Sequence, residues 1–166
     1  ITGHKGLAGE IGHIPHDPNG RVCGCGNRGC LETVASDSAL AWMISQRIGR
    51  DVGIAEVISL TAANELSPEP ELQQVLSRIS FALTTVINLF NPSTLFIYGR
   101  LFELCEDSFD RLLAETGQYT LPPALADCQI VRAQRSKSQG AIAGVLEHLA
   151  DSLVPSADSF LSYLNT

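Results

Sequence analysis

Hydrophobic positions fall into two regimes along the chain. From Leu31 onward they recur at helical spacing, and before it they do not. Leu40, Met43, Ile44 and Ile48 lie three and four apart, with Ser36 or Asp37 placed to cap the helix they define. A shorter helix is predicted from about residue 54 to 64. The clearest period runs from about 69 to 89, where Leu72, Val75, Leu76, Ile79, Leu83, Val86, Ile87 and Phe90 repeat at three and four. Asn91-Pro92 stops it. Thr94 to Tyr98, β-branched and aromatic and closed by Gly99, reads as a buried strand. A helix follows through Phe109, Leu112 and Leu113 until Pro122-Pro123 breaks the chain. Gln129 to Ala133 is a second strand candidate, and Gly140 to Leu149 a closing helix with small residues suited to close packing. The alternation predicts an α/β fold.

Residues 1 to 30 are different: rich in Gly, His, Pro and Cys, they read as turns and an ordered loop. The length, 166 residues with 45% hydrophobic, suits one compact domain or a large piece of a two-domain protein. Eighteen carboxylates against eleven Lys and Arg give a net charge of -7, a poor match to a phosphate backbone. Any DNA-reading head is therefore expected outside these residues. No apolar run approaches the length of about eighteen that a membrane span needs. Ile1-Thr2-Gly3-His4-Lys5 has neither an initiator Met nor a signal-peptide core, so the sequence is expected to be cut from something longer.

Five cysteines, three of them within eight residues, do not form the spread, even set of a secreted disulfide framework. Their clustering predicts a reduced compartment, the cytoplasm, and a metal. The cluster is Cys23-Gly24-Cys25-Gly26-Asn27-Arg28-Gly29-Cys30. A short loop of this kind can supply three thiolates to a tetrahedral zinc ion, with Gly24, Gly26 and Gly29 freeing the backbone. His13 is the natural fourth ligand and His16 a competitor. A Cys25–Cys30 disulfide, or three unrelated thiols, would fit the spacing too. Cys105 and Cys128 read as isolated, buried small hydrophobes, and His4, His16 and His148 as surface residues.

Residues 6 to 36 resemble the ROK family of bacterial sugar kinases and sugar-responsive transcriptional regulators. The resemblance rests on Gly6-Leu7-Ala8-Gly9-Glu10-Ile11-Gly12-His13, on Asp17-Pro18-Asn19-Gly20, and on Cys23-x-Cys25-Gly26-Asn27-x-Gly29-Cys30-Leu31-Glu32-Thr33 with the following Ala35-Ser36. Asn88 to Pro92 and Gly140 to Gly144 look like looser family features. The resemblance implies zinc held by His13, Cys23, Cys25 and Cys30. It also implies a ribonuclease H-like domain of the actin and hexokinase superfamily, with the zinc loop inserted. This chain would be the C-terminal part of the sugar-binding domain. The catalytic Asp and first phosphate loop of the kinases precede the Glu10-to-His13 motif and lie outside it, so the piece alone would not phosphorylate a sugar. The missing strands would leave a sheet edge open for pairing.

In the family, residues at the positions of Glu10, His13 and Glu32 contact sugar hydroxyls. Carboxylates accept hydroxyl protons with strong directionality, and an imidazole can bind metal through one nitrogen and present the other to a ligand. Without the resemblance, Glu32 would pass for a carboxylate favoured at a helix start and Glu10 for a solvated turn residue. The expected ligand is a sugar or sugar phosphate.

Kinases of the family carry a glycine-rich turn after the strand that follows Asn-Pro. Here that stretch is Ile97-Tyr98-Gly99-Arg100-Leu101-Phe102, with one glycine. Side chains at Arg100 and Leu101 would crowd a nucleotide. The chain thus looks closest to regulators of the glucose/N-acetylglucosamine repressor type, homodimers that reach DNA through a further domain. The tail from Asp151 to Thr166 fits that pattern. The alternative is half of an ATP-dependent kinase for a hexose or N-acetylhexosamine.

Overall fold

A computed structural model describes residues 3 to 133; the expected helix over 140–149, His148 and the tail from Asp151 lie outside the described residues. Ahead of residue 37 the chain forms three short 3-10 turns, His4–Gly6, Ile11–His13 and Leu31–Thr33, linked by tight turns. Then come α1 (Asp37–Ile48), α2 (Ile54–Ala62), α3 (Glu69–Phe90), β1 (Thr94–Ile97), a 3-10 turn at Arg100–Glu103, α4 (Ser108–Tyr119), α5 (Pro122–Ala126) and β2 (Gln129–Arg132). The two strands pair in parallel, Thr94 opposite Gln129 and Ile97 opposite Arg132, with α4 and α5 as the crossover.

Local chemistry sets the ends of these elements. The Ser36 hydroxyl accepts the Ala39 N–H at 3.1 Å and caps α1; Gly49, left-handed at φ 72, closes it. Asn91, also left-handed, ends α3 just before Pro92. α1, α2, α3 and α4 enclose a core of Leu40, Ile44, Val57, Leu72, Val75, Leu76 and Leu112, with Leu101 and Phe102 from the turn after β1 inserted among them. The period-3.6 reading of α3 identified its inner face as far as Ile87, but Phe90, counted on that face, is 50% exposed.

Three expectations are corrected. β1 is not buried: Phe96 is 73% exposed and Tyr98 also faces out, so the sheet face that carries Phe96 has no cover among the described residues. Pro122-Pro123 does not simply break the chain. The prolines occupy the first positions of α5, where their missing N–H costs nothing. Cys105 and Cys128 are half-buried, the Cys105 thiol reaching toward Glu69 at 3.6 Å. No helix of the described residues is long and apolar enough to cross a membrane.

Candidate metal centre

The loop from His13 to Cys30 closes on itself through backbone bonds. Gly29 donates to the Arg21 carbonyl at 2.7 Å, Cys23 to that of Asn27 at 2.8 Å, and His16 and Asp17 both to that of Gly29. Gly29 is required there. Its φ is +67, and a Cβ would fall 1.5 Å from the Asp17 carbonyl oxygen. Gly24, expected to matter for the same reason, has open space around it and an ordinary φ.

Folding brings His13, Cys23, Cys25 and Cys30 together, their ligating atoms all within 4.8 Å of one another. Cys25 Sγ lies 3.7 Å from Cys30 Sγ, and Cys23 Sγ lies 3.6 Å from His13 Nδ1. A tetrahedron built on zinc–sulfur bonds of about 2.3 Å and a zinc–nitrogen bond of about 2.05 Å has edges of roughly 3.8 and roughly 3.6 Å. The donor set therefore fits a tetrahedral ion without a disulfide; the cysteines are free. His16 is not in the cluster. It is half-buried, its ring 6.3 Å from that of Phe81.

Electrostatics holds protons on two of the three sulfurs while no cation competes for them. The Cys25 N–H lowers the Cys23 thiol, but the bond it donates to Glu32 Oε1 at 2.8 Å, its burial and the neighbouring thiols outweigh this and push it up to about 12. Burial raises Cys30. The Asn27 N–H and the Cys23 thiol lower Cys25, the exposed member.

Glu10 and Glu32 both border the cluster, Glu10 at the His13 ring and Glu32 at Cys23. His13 Nδ1 faces Cys23, which leaves Nε2 turned toward Glu10 Oε2 at 3.9 Å. Glu32, on the 3-10 turn Leu31–Thr33, packs against Gly12, where a Cβ would come within 3.4 Å of its own Cβ. The largely apolar cleft nearby, about 260 Å³ and lined by Ile11, Ile14, Leu31 and Phe81 among others, includes none of Glu10, His13 and Glu32.

Two residues hold this region in place in ways that sequence reasoning missed: Arg21, which it did not weigh, and Asp37, which it offered as a cap where Ser36 is the one. Asp37 accepts the N–H groups of Arg100 and Leu101 at 3.0 and 2.9 Å, joining the start of α1 to the turn after β1. Arg21 spans from the loop to α1, where its guanidinium carbon lies 4.1 Å from the centroid of the Trp42 ring. Neither partner is near in sequence, so no local signal marks them.

The described residues thus make an α/β protein in which a Cys3His loop leads into a capped helix and a parallel strand pair. The chain belongs to the ROK family, whose sequence model matches residues 1 to 150. It is 28% identical over 152 residues to the xylose repressor of Bacillus spizizenii, covering 90% of this chain and 39% of that one. Among solved structures it resembles a ROK family transcriptional regulator that is a homolog of the Escherichia coli MLC protein, at TM-score 0.67 and 30% identity over 82% of this chain and 37% of that one. It also resembles the ROK hexokinase of Thermus thermophilus, at TM-score 0.69 and 26% identity over 84% and 47%. These neighbours give the chain the α/β fold of the actin and hexokinase type. The chain spans less than half the length of each.

Proposed function

We propose that residues 1 to 166 are the C-terminal part of the sugar-binding domain of a ROK transcriptional regulator, a repressor that works as a cytoplasmic homodimer. Its DNA-reading domain and the other half of its sugar cleft would lie outside this chain. On this reading the domain is ribonuclease H-like, with the loop over 13–30 inserted as a zinc site.

The observation that carries the regulator over the kinase is the turn after β1. Consecutive N–H groups at the start of a helical turn are the usual seat of a phosphate. Here the amides of Arg100 and Leu101 are both taken by the Asp37 carboxylate. The Arg100 guanidinium is turned onto Glu103 at 3.2 and 3.4 Å, and Leu101 and Phe102 are buried. A nucleotide phosphate arriving at this turn would meet one carboxylate tethered in its place and another beside it. The second reading, half of an ATP-dependent kinase for a hexose or N-acetylhexosamine, draws on the likeness to the Thermus thermophilus hexokinase.

His13, Cys23, Cys25 and Cys30 would hold the zinc, and four protein ligands would fix the loop and give the ion a structural role. Glu10, His13 and Glu32 would hold the sugar. With Nδ1 of His13 directed at the sulfurs, Nε2 stays available to a hydroxyl, and the two carboxylates accept hydroxyl protons. Sugar bound there would bias the angle between the two halves of the cleft, and through the dimer the spacing of the DNA-reading heads.

Calorimetric titration of the full-length, zinc-loaded protein with D-glucose, D-xylose and N-acetyl-D-glucosamine tests the site. Glu10→Gln and Glu32→Gln should each keep their zinc and weaken sugar binding by about tenfold or more, the usual cost of losing a charged acceptor. Wild-type affinity in both variants would sink the assignment.

A further inference from the structure

The Arg21 side chain leaves the metal loop two residues before Cys23 and ends on a carbonyl one residue after Glu32. Its guanidinium lies over the Trp42 ring in α1, and its terminal nitrogen donates to the Thr33 carbonyl at 2.5 Å. Thr33 is the last residue of the short turn that carries Glu32. Local bonds shape this turn: the Thr33 N–H and hydroxyl both donate to the Cys30 carbonyl, and the Ser36 hydroxyl donates to the Glu32 carbonyl at 2.8 Å. These define the turn's shape but leave its tilt against the rest of the loop to longer-range contacts. Two such contacts lie on the near side, the Leu31 N–H donating to the Ile14 carbonyl at 2.9 Å and the Cys23 thiol to Glu32 Oε1 at 2.8 Å; Arg21 supplies the one at the far end of the turn. A planar, delocalised cation is suited to it, because one face can rest on an aromatic ring while an edge donates in the ring's own direction.

We infer that Arg21 is a positioning residue for Glu32: braced on Trp42, it sets the orientation of the Leu31–Thr33 turn and so the direction in which the Glu32 carboxylate is offered to a sugar. The inference rests on the reading of Glu32 as a sugar contact. Arg21 touches neither the proposed sugar nor the metal, so its removal should separate two properties that loss of a metal ligand would change together. Lysine keeps the charge at this position but has no flat face to stack and no fork.

The test uses full-length, zinc-loaded protein carrying Arg21→Gln, Arg21→Lys or Trp42→Ala, titrated with D-glucose, D-xylose and N-acetyl-D-glucosamine. Both Arg21 variants should keep wild-type zinc content and lose about tenfold in sugar affinity, and Trp42→Ala should lose about threefold. Wild-type affinity in the Arg21 variants, with Glu32→Gln still impaired, would overturn the positioning role and leave the sugar site standing. Failure of wild-type protein to bind any of the three sugars would overturn both. A readout without sugar keeps the inference exposed if affinities are weak. In 15N spectra of the zinc-loaded protein, the Glu32 and Val34 amides should shift or broaden in Arg21→Gln while those of Cys23 and Cys25 stay close to wild type. Unmoved Glu32 and Val34 signals would contradict it.

Discussion

At the scale of single residues, the donor geometry asks for a cation. Thiols pushed up at Cys23 and Cys30, against one lowered at Cys25, make metal uptake a proton-releasing event. Zinc affinity should therefore rise with pH across about pH 6 to 8, with protons appearing in weakly buffered solution as metal binds. Affinity independent of pH would contradict ligation through Cys23. Replacing Cys25 by Ser should lower bound zinc from about one per chain to near zero and abolish sugar binding along with it. Gly29→Ala tests the loop without touching a ligand. The close approach of the Asp17 carbonyl leaves no space for a methyl group, and a cost above about 2 kcal/mol is expected in chemical denaturation. The cluster was legible in the sequence because its ligands are near neighbours at fixed gaps. The Arg21–Trp42 stack and the Asp37 clamp were not, since each joins residues with no shared pattern.

At the scale of elements, α1 connects everything that matters here. Its cap Ser36 also bonds the Glu32 carbonyl, Asp37 holds the turn after β1, and Arg47 in its last turn pairs with Glu71 of α3 at 2.6 Å. Glu71 is buried and its second carboxylate oxygen has no partner among the described residues. Arg47→Ala would leave that charge alone against the core and should destabilise the protein by about 1–3 kcal/mol, less than a fully enclosed pair because Arg47 is partly in water. Ser36→Ala should cost about 1 kcal/mol through the cap, and it should also weaken sugar binding if the Glu32 turn is tied to α1 as described. The helices were readable from period and caps because their burial is one-sided. β1 was misread because hydrophobic content in a short run says that a strand forms, and not which of its faces finds a cover. α5 was missed because a Pro-Pro pair that interrupts one helix can equally begin the next.

At the scale of the whole molecule, the described part would present one side of the proposed sugar site. Glu10, His13 and Glu32 flank the metal cluster, line none of the nearby apolar cleft, and would need a second wall to enclose a sugar. Among the described residues the sheet has only two strands, whose outer edges are free to pair, and the side chains of Phe96 and Tyr98 are exposed. Relatives that the chain covers by less than half accord with both. ROK proteins of both kinds stand close to it, a repressor and a hexokinase among them. The distinction therefore falls on whether the Asp37-filled turn excludes a nucleotide. ATP consumption by the full-length, zinc-loaded protein, measured against hexoses and N-acetylhexosamines, tests that directly. The account predicts no sugar-dependent turnover in protein that still binds a sugar. Turnover with any of them would make the protein a kinase despite Asp37, Arg100 and Leu101, and would contradict the account.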